Sequence, residues 1–341
     1  MHMQRMRDGA VTLVIGPAHD HLDAVAGALA RRHRARRLSA PDAPGAVPEL
    51  TGRLVAPAWE GRRVPPAIVA LPLCERFVAV GRTLQDALAG PAAAGRLHLS
   101  DVVAVLEAAP LAEQLLGHRP SDELVAQDDY LPSLLARQIE HASVVLLVGC
   151  ERVSAAVHRD LIAAVETLHP SVVCADAGAG EPAPCTGAAE LGRLGDGAAW
   201  RRELAGAVPP PGRAPERAVV FRDPRPFHPS RLAELVAHGL EPERVGRVLR
   251  SKGFVSLASR RGAVHGWSSA GDVLTLTRTP LRQGVRGAPI GQELVLLGLG
   301  LDVDRIRSSL AACLLTDGEL LAGPAVWSAY EDTLPDAPMA S

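Results

Sequence analysis

Apolar residues in the first half of the chain fall into short unbroken runs with helically spaced stretches between them. VTLVIG (Val11 to Gly16), PAIVALPL (66–73), SDVVAVLEA (100–108), ASVVLLVGC (142–150) and SVVCADA (171–177) each have the length of a buried strand. Between them, residues 19 to about 32 place Leu22, Val25, Ala26 and Leu29 on one helical face. Residues 131–140 and 154–168 also read as helices. Strands that do not alternate apolar with polar, separated by helices, predict a parallel sheet covered on both faces.

The pattern changes past residue 178. Gly, Ala and Pro dominate to about residue 215, and PPPGRAP (209–215) reads as a stiff linker. The stretch 188–204 carries a weaker helical signal. Beyond it come a strand at 218–221 and a helix at 229–238. Strand patterns follow near 247–259, 264–268, 273–278 and 293–299, and a final helix spans 302–314 with Asp302 or its neighbour as its cap. Ser269-Ala270-Gly271-Asp272 reads as a hairpin turn. The expectation is an α/β domain over 1–180, a linker over 181–216, and an α+β domain with an antiparallel sheet over 217–335.

Composition narrows the class. Hydrophobic residues at 47% and charged residues at 22% describe a folded protein. A net charge of −2 gives no overall attraction to nucleic acid or membrane. Lys252 is the only lysine, and asparagine is absent. The five cysteines, Cys74, Cys150, Cys174, Cys185 and Cys313, show no CxxC or CxC spacing. With an odd cysteine count, no secretory signal and no apolar run of membrane length, the cytoplasm is the expected location.

RPFHPSRL (Arg225 to Leu232), VLRSKGFVSLASR (Val248 to Arg260), GWSSAGDVLTL (Gly266 to Leu276), QELVLLGLGLD (Gln292 to Asp302) and CLLTDGEL (Cys313 to Leu320) occur in that order. This half resembles the C-terminal domain of the CobW family of GTP-binding metallochaperones. The first half resembles the family more weakly, through VTLVIG and LLARQIEHASVVLLVGCERV (Leu134 to Val153). The fold implied is a degenerate P-loop GTPase-like domain followed by a CobW C-terminal domain. Several second-half motif residues have structural roles: Pro229 suits a first helical position, Phe227 staples that helix to the sheet, and Trp267 forms core or groove wall.

A phosphate-binding loop needs glycines, then Lys, then Ser or Thr, directly after the first strand. Here the strand runs into GPAHDHLDAVA (Gly16 to Ala26), with neither lysine nor hydroxyl, and Pro17 removes an amide. Asp20 and Asp23 add negative charge where a triphosphate would lie. In place of the family's Asn-Lys-x-Asp stand Val148, Gly149, Cys150 and Glu151, and the Cys-x-Cys-Cys motif is missing. Gly16, His19, Asp20 and Glu151 would mark a vestigial nucleotide site, with no catalytic residue.

Three further groups are candidates for binding. His19 and Asp23 share a helical face and could hold a metal, as could His228, although helix capping accounts for the first-turn acids. Arg31, Arg32, Arg34, Arg36 and Arg37 form the sharpest charge run, either a solvated helix end or a contact to RNA phosphate. His228 and Trp267 could contribute to a partner surface. Cys174 and Cys185 lie in or beside the Gly/Pro-rich stretch without a second pair, so zinc is not expected there. Asp128 and Asp129 read as helix caps.

The resemblance implies a non-catalytic binding or adaptor protein of zinc homeostasis. Divergent family members without the phosphate loop act in zinc-dependent ribosome remodelling or hibernation, and the start of this chain looks like theirs. The expected partner is therefore a protein, the ribosome or a hibernation factor, with nucleic acid met only as ribosomal RNA and no membrane. No bound cofactor is expected, and zinc is left open. The alternative is a GTP-dependent zinc metallochaperone with an atypical nucleotide site.

Overall fold

The computed structural model describes residues 6–17, 20–41, 43–91, 93, 95–117, 131–177, 195–206, 215–271, 273–286 and 288–335. They form two compact units, residues 1–111 with 134–198, and residues 112–133 with 199–341. Cys185, the Asp128-Asp129 pair and most of the Gly/Pro-rich stretch lie outside the described residues. Within that stretch a helix, Ala199–Leu204, belongs to the second unit.

The first unit is a six-stranded, wholly parallel sheet in the order β2-β3-β1-β4-β5-β6. Its strands are β1 Ala10–Gly16, β2 Arg36–Ser39, β3 Ala67–Pro72, β4 His98–Glu107, β5 Val144–Val148 and β6 Val173–Asp176. Alternate residues face opposite layers. Val14, Ile68, Val103, Val105, Val144 and Leu146 pack under the helix Asp20–His33 through Leu22, Ala26 and Leu29. Val11, Leu13, Ile15, Val69 and Leu71 face the helices Val47–Trp59 and Phe77–Ala89. Both layers are apolar because both faces of a parallel sheet are covered. The uninterrupted runs in the sequence have this cause.

The second unit is an antiparallel sheet in the order β10-β9-β8-β11-β7. Its strands are β7 Ala218–Asp223, β8 Arg247–Val255, β9 Ala263–Ala270, β10 Val273–Arg282 and β11 Gln292–Leu299. Pairing of Ala270 with Val273 closes the expected hairpin, although Asp272 itself lies outside the described residues. Helices Pro229–Glu234 and Val303–Ala312 supply Leu232, Ile306 and Leu310 to a core that includes Phe221, Phe227, Leu294 and Leu296. Phe227 is fully buried and stacks on Phe221, so it does staple its helix to the sheet. Asp302 caps the last of these helices by accepting from the Arg305 amide at 3.0 Å.

Gly253 shows how tightly the sheet is packed. Its φ is +147°, and a Cβ there would lie 1.9 Å from the Glu293 carbonyl oxygen of the neighbouring strand. Only glycine fits such a position.

Candidate metal centre

In open parallel sheets, ligand sites form outside the carboxyl ends of the strands. Two such ends matter in the first unit. At the first, β1 closes on buried Gly16 and exposed Asp20 begins the following helix. His19 lies outside the described residues. Asp23 is ion-paired with Arg37, so its carboxylate is already committed to a cation. Beneath this end, buried Gln138 donates from Nε2 to the carbonyls of Ile15 and Val105 at 2.7 and 3.3 Å, tying β1 to β4.

The second end is chemically richer. Gly149, in the left-handed region at φ 69°, turns the chain out of β5 into a short 3-10 turn that carries Cys150. Ser154 caps the next helix by accepting from the Val157 amide at 3.3 Å, which fixes His158 in the opening turns. Asp176 ends β6 and is in register with Leu147 of β5. His158 Nε2 lies 2.8 Å from Asp176 Oδ1, and the Cys150 thiol donates to the same oxygen at 3.4 Å. The three ligand atoms all lie within 4.8 Å of one another. Cys150 and His158 are half-buried, whereas Asp176 is exposed.

Desolvation, then the hydrogen bond and charge of Asp176, push the Cys150 thiol up to about 11. Cys174, two residues before Asp176, is pushed to about 12 by burial, Asp176, Glu166 and Cys150 in that order. Without a cation, the local field keeps both sulfurs protonated. Among the described residues, this is the one place where three metal-capable donors converge.

Sequence reasoning missed this group. Cys150 was noted only for displacing a guanine motif, His158 not at all, and Cys174 as the neighbour of a loop. Two signals were available: the Cys174/Asp176 alternation on a strand, and a cysteine at the end of the neighbouring one. Glu151, beside Cys150, points into solvent and lies 3.7 Å from Arg152.

Residues 217–314 match the family model described as the cobalamin synthesis protein cobW C-terminal domain. This segment is similar to that domain. The chain is also similar to "Zinc-regulated GTPase metalloprotein activator 1" of Dictyostelium discoideum, 27% identical over 232 residues, which are 60% of this chain and 48% of the relative. It thus spans about half the length of the curated relative it matches. Among solved structures it aligns with the Zn(II)-bound YjiA GTPase from E. coli at 13% identity and a TM-score of 0.38. That alignment covers 91% of this chain and all of the other. A Zn(II)-bound triple mutant of the same GTPase aligns at 15% identity with the same TM-score.

Within the second unit, Trp267 is a packing residue and His228 is half-buried. Trp267 is 5% exposed, and its Nε1 donates to Ser251 Oγ at 2.6 Å. The buried indole is thus satisfied inside the core. His228 sits at the cap position of Pro229–Glu234, stacks on Tyr330 at 4.4 Å, and donates its amide to the Cys313 carbonyl. Its Nδ1 is buried without a hydrogen-bond partner, and burial followed by Arg231 lowers its pKa. The one cluster of three donors among the described residues includes neither His228 nor Asp23, and His19 lies outside the described residues.

The arginine run is split by the fold. Arg31 and Arg32 close the helix Asp20–His33, Arg34 adopts a left-handed φ of 52°, and Arg36 and Arg37 lie on β2 at the sheet edge. It is therefore more than a helix end. Arg31, Arg32, Arg34 and Arg37 are exposed, and Arg36 is half-buried. Charge on an edge strand also blocks unwanted strand pairing. Among the described residues, no helix is long and apolar enough to cross a membrane.

Proposed function

We propose that the chain is a binding or adaptor protein of zinc homeostasis whose parallel-sheet unit does not turn over GTP. The observation that carries this reading is the end of β1, where Gly16 and Pro17 lead into a helix opened by Asp20. Phosphoryl transfer depends on backbone amides, a lysine and a metal-binding hydroxyl placed there to neutralise charge. The first 251 residues contain no lysine to restore that chemistry from elsewhere. The zinc connection is supported by the name of the Dictyostelium relative.

The partner in this reading is the ribosome or a hibernation factor acting under zinc limitation. The exposed arginines of the split run support it, because clustered guanidinium groups suit RNA phosphates. A second reading, a GTP-dependent zinc metallochaperone with an atypical site, is favoured by the relative's description as a GTPase. Affinity capture of the tagged chain from zinc-starved and zinc-replete cells separates the two. Ribosomal proteins enriched under starvation support the adaptor, and enrichment of zinc enzymes supports the chaperone. Equal, partner-free samples would remove the zinc connection.

A further inference from the structure

We infer that Cys150, His158 and Asp176, completed by Cys174, form a binding site for a single zinc-class divalent cation at the carboxyl ends of β5 and β6. Thiolate, imidazole and carboxylate together are the donor set of zinc rather than of calcium or magnesium, which take oxygen alone. The spacing fits. Donors bonded at zinc distances in a tetrahedron lie roughly 3.5 Å apart. The Cys150 sulfur and the Asp176 oxygen are 3.4 Å apart, and all three donors fall within a 4.8 Å group.

The fourth donor follows from strand geometry. Cys174 and Asp176 alternate on β6 and therefore project from the same face. Val145 and Leu147 of β5 are their register partners, on the face opposite the one that packs under Asp20–His33. Cys174 itself lies outside the 4.8 Å group and would turn its side chain to reach the ion. The donors come from three separately anchored elements: the turn after Gly149, the Ser154-capped helix, and β6 in register with β5. On binding, each cysteine exchanges its S–H for an S–metal bond and releases its proton to solvent, and the imidazole binds through neutral Nε2.

The assignment does not depend on the adaptor reading. A chain that captures ribosomes but binds no metal here would keep that reading and lose this site. The test uses the full chain, stripped by chelator, kept reduced and titrated with Co²⁺. The expected result is one equivalent bound, with sulfur-to-cobalt charge transfer and the intense visible bands of a tetrahedral ion, all displaced by Zn²⁺. Cys150→Ser and His158→Ala each abolish the tetrahedral signature, Cys174→Ser reduces the charge-transfer band, and Cys74→Ser leaves the titration unchanged. Circular dichroism of the metal-free variants checks folding, with Asp176→Asn as the near-isosteric variant should one of them fail to fold. No tetrahedral cobalt in the parent, or a signature that survives Cys150→Ser and His158→Ala, overturns the site. A spectrum unaltered by Cys174→Ser overturns the four-donor set.

Discussion

The two units put their distinctive residues to opposite uses. In the antiparallel unit, the residues that make the sequence recognisable hold the fold together. Gly253 admits the neighbouring strand, Trp267 bonds to Ser251, Phe227 fills the core, and His228 stacks on Tyr330. In the parallel-sheet unit, the framework is generic aliphatic packing, and the unusual residues sit at the carboxyl ends of the strands, in a turn, a helix and a strand end. A family resemblance can therefore rest on packing residues. Turns off a rigid sheet tolerate exchange of their side chains far better than an interlocked core does.

Substitutions can break this contrast. Gly253→Ala forces a Cβ to within 1.9 Å of a backbone oxygen at φ +147°, and should cost about 3 kcal/mol or more in denaturant unfolding. Loss under about 1 kcal/mol would mean that the motif glycine is not structural. Arg260→Ala comes next. The guanidinium grips Asp332 through two nitrogens at 2.8 and 3.0 Å, with both side chains about 15% exposed or less. Losing it leaves a mostly buried carboxylate, and should cost about 2–3 kcal/mol in the same assay.

Glu319 sharpens the contrast through pH. Arg231, bonded to both carboxylate oxygens, and the Thr316 cap hold its pKa at about 2, against an ordinary value of 4.5. A lowered folded-state pKa gives stability that is fully present above the ordinary value and lost as pH falls toward 2. Acid melts of the parent should show that loss between pH 4.5 and 2, and Glu319→Gln should flatten it while costing about 1–2 kcal/mol at neutral pH. The smallest stability effect belongs to Arg31, Arg32 and Arg34. Replacing all three with serine should shift stability by only about 0.5 kcal/mol, yet abolish ribosome capture. Capture that persists would show that the run serves only as charged surface.

The elements that could be read from sequence were those whose pattern matched their burial. β1, β5 and the helix Leu131–Glu140 were legible because apolar runs and helical spacing were uninterrupted. The helix Val47–Trp59 was missed although Val47, Leu50, Leu54 and Val55 have its spacing, because Pro48, Gly52 and Pro57 read as loop. β2 was hidden inside the arginine run, since an edge strand with Leu38 as its buried residue gives almost no apolar signal. The donor group was illegible for a different reason. Cys150, His158 and Asp176 come from a turn, a helix and a strand end, so their proximity is made by β5–β6 pairing and not by any spacing along the chain.

The central claim is that the parallel-sheet unit no longer handles GTP. Calorimetric titration of the full chain with GTP and Mg²⁺, run with and without Zn²⁺, tests it most directly. The account predicts no saturable heat in either condition. A saturable one-to-one isotherm, in particular one that appears only with zinc, would contradict it and establish the GTP-dependent metallochaperone instead.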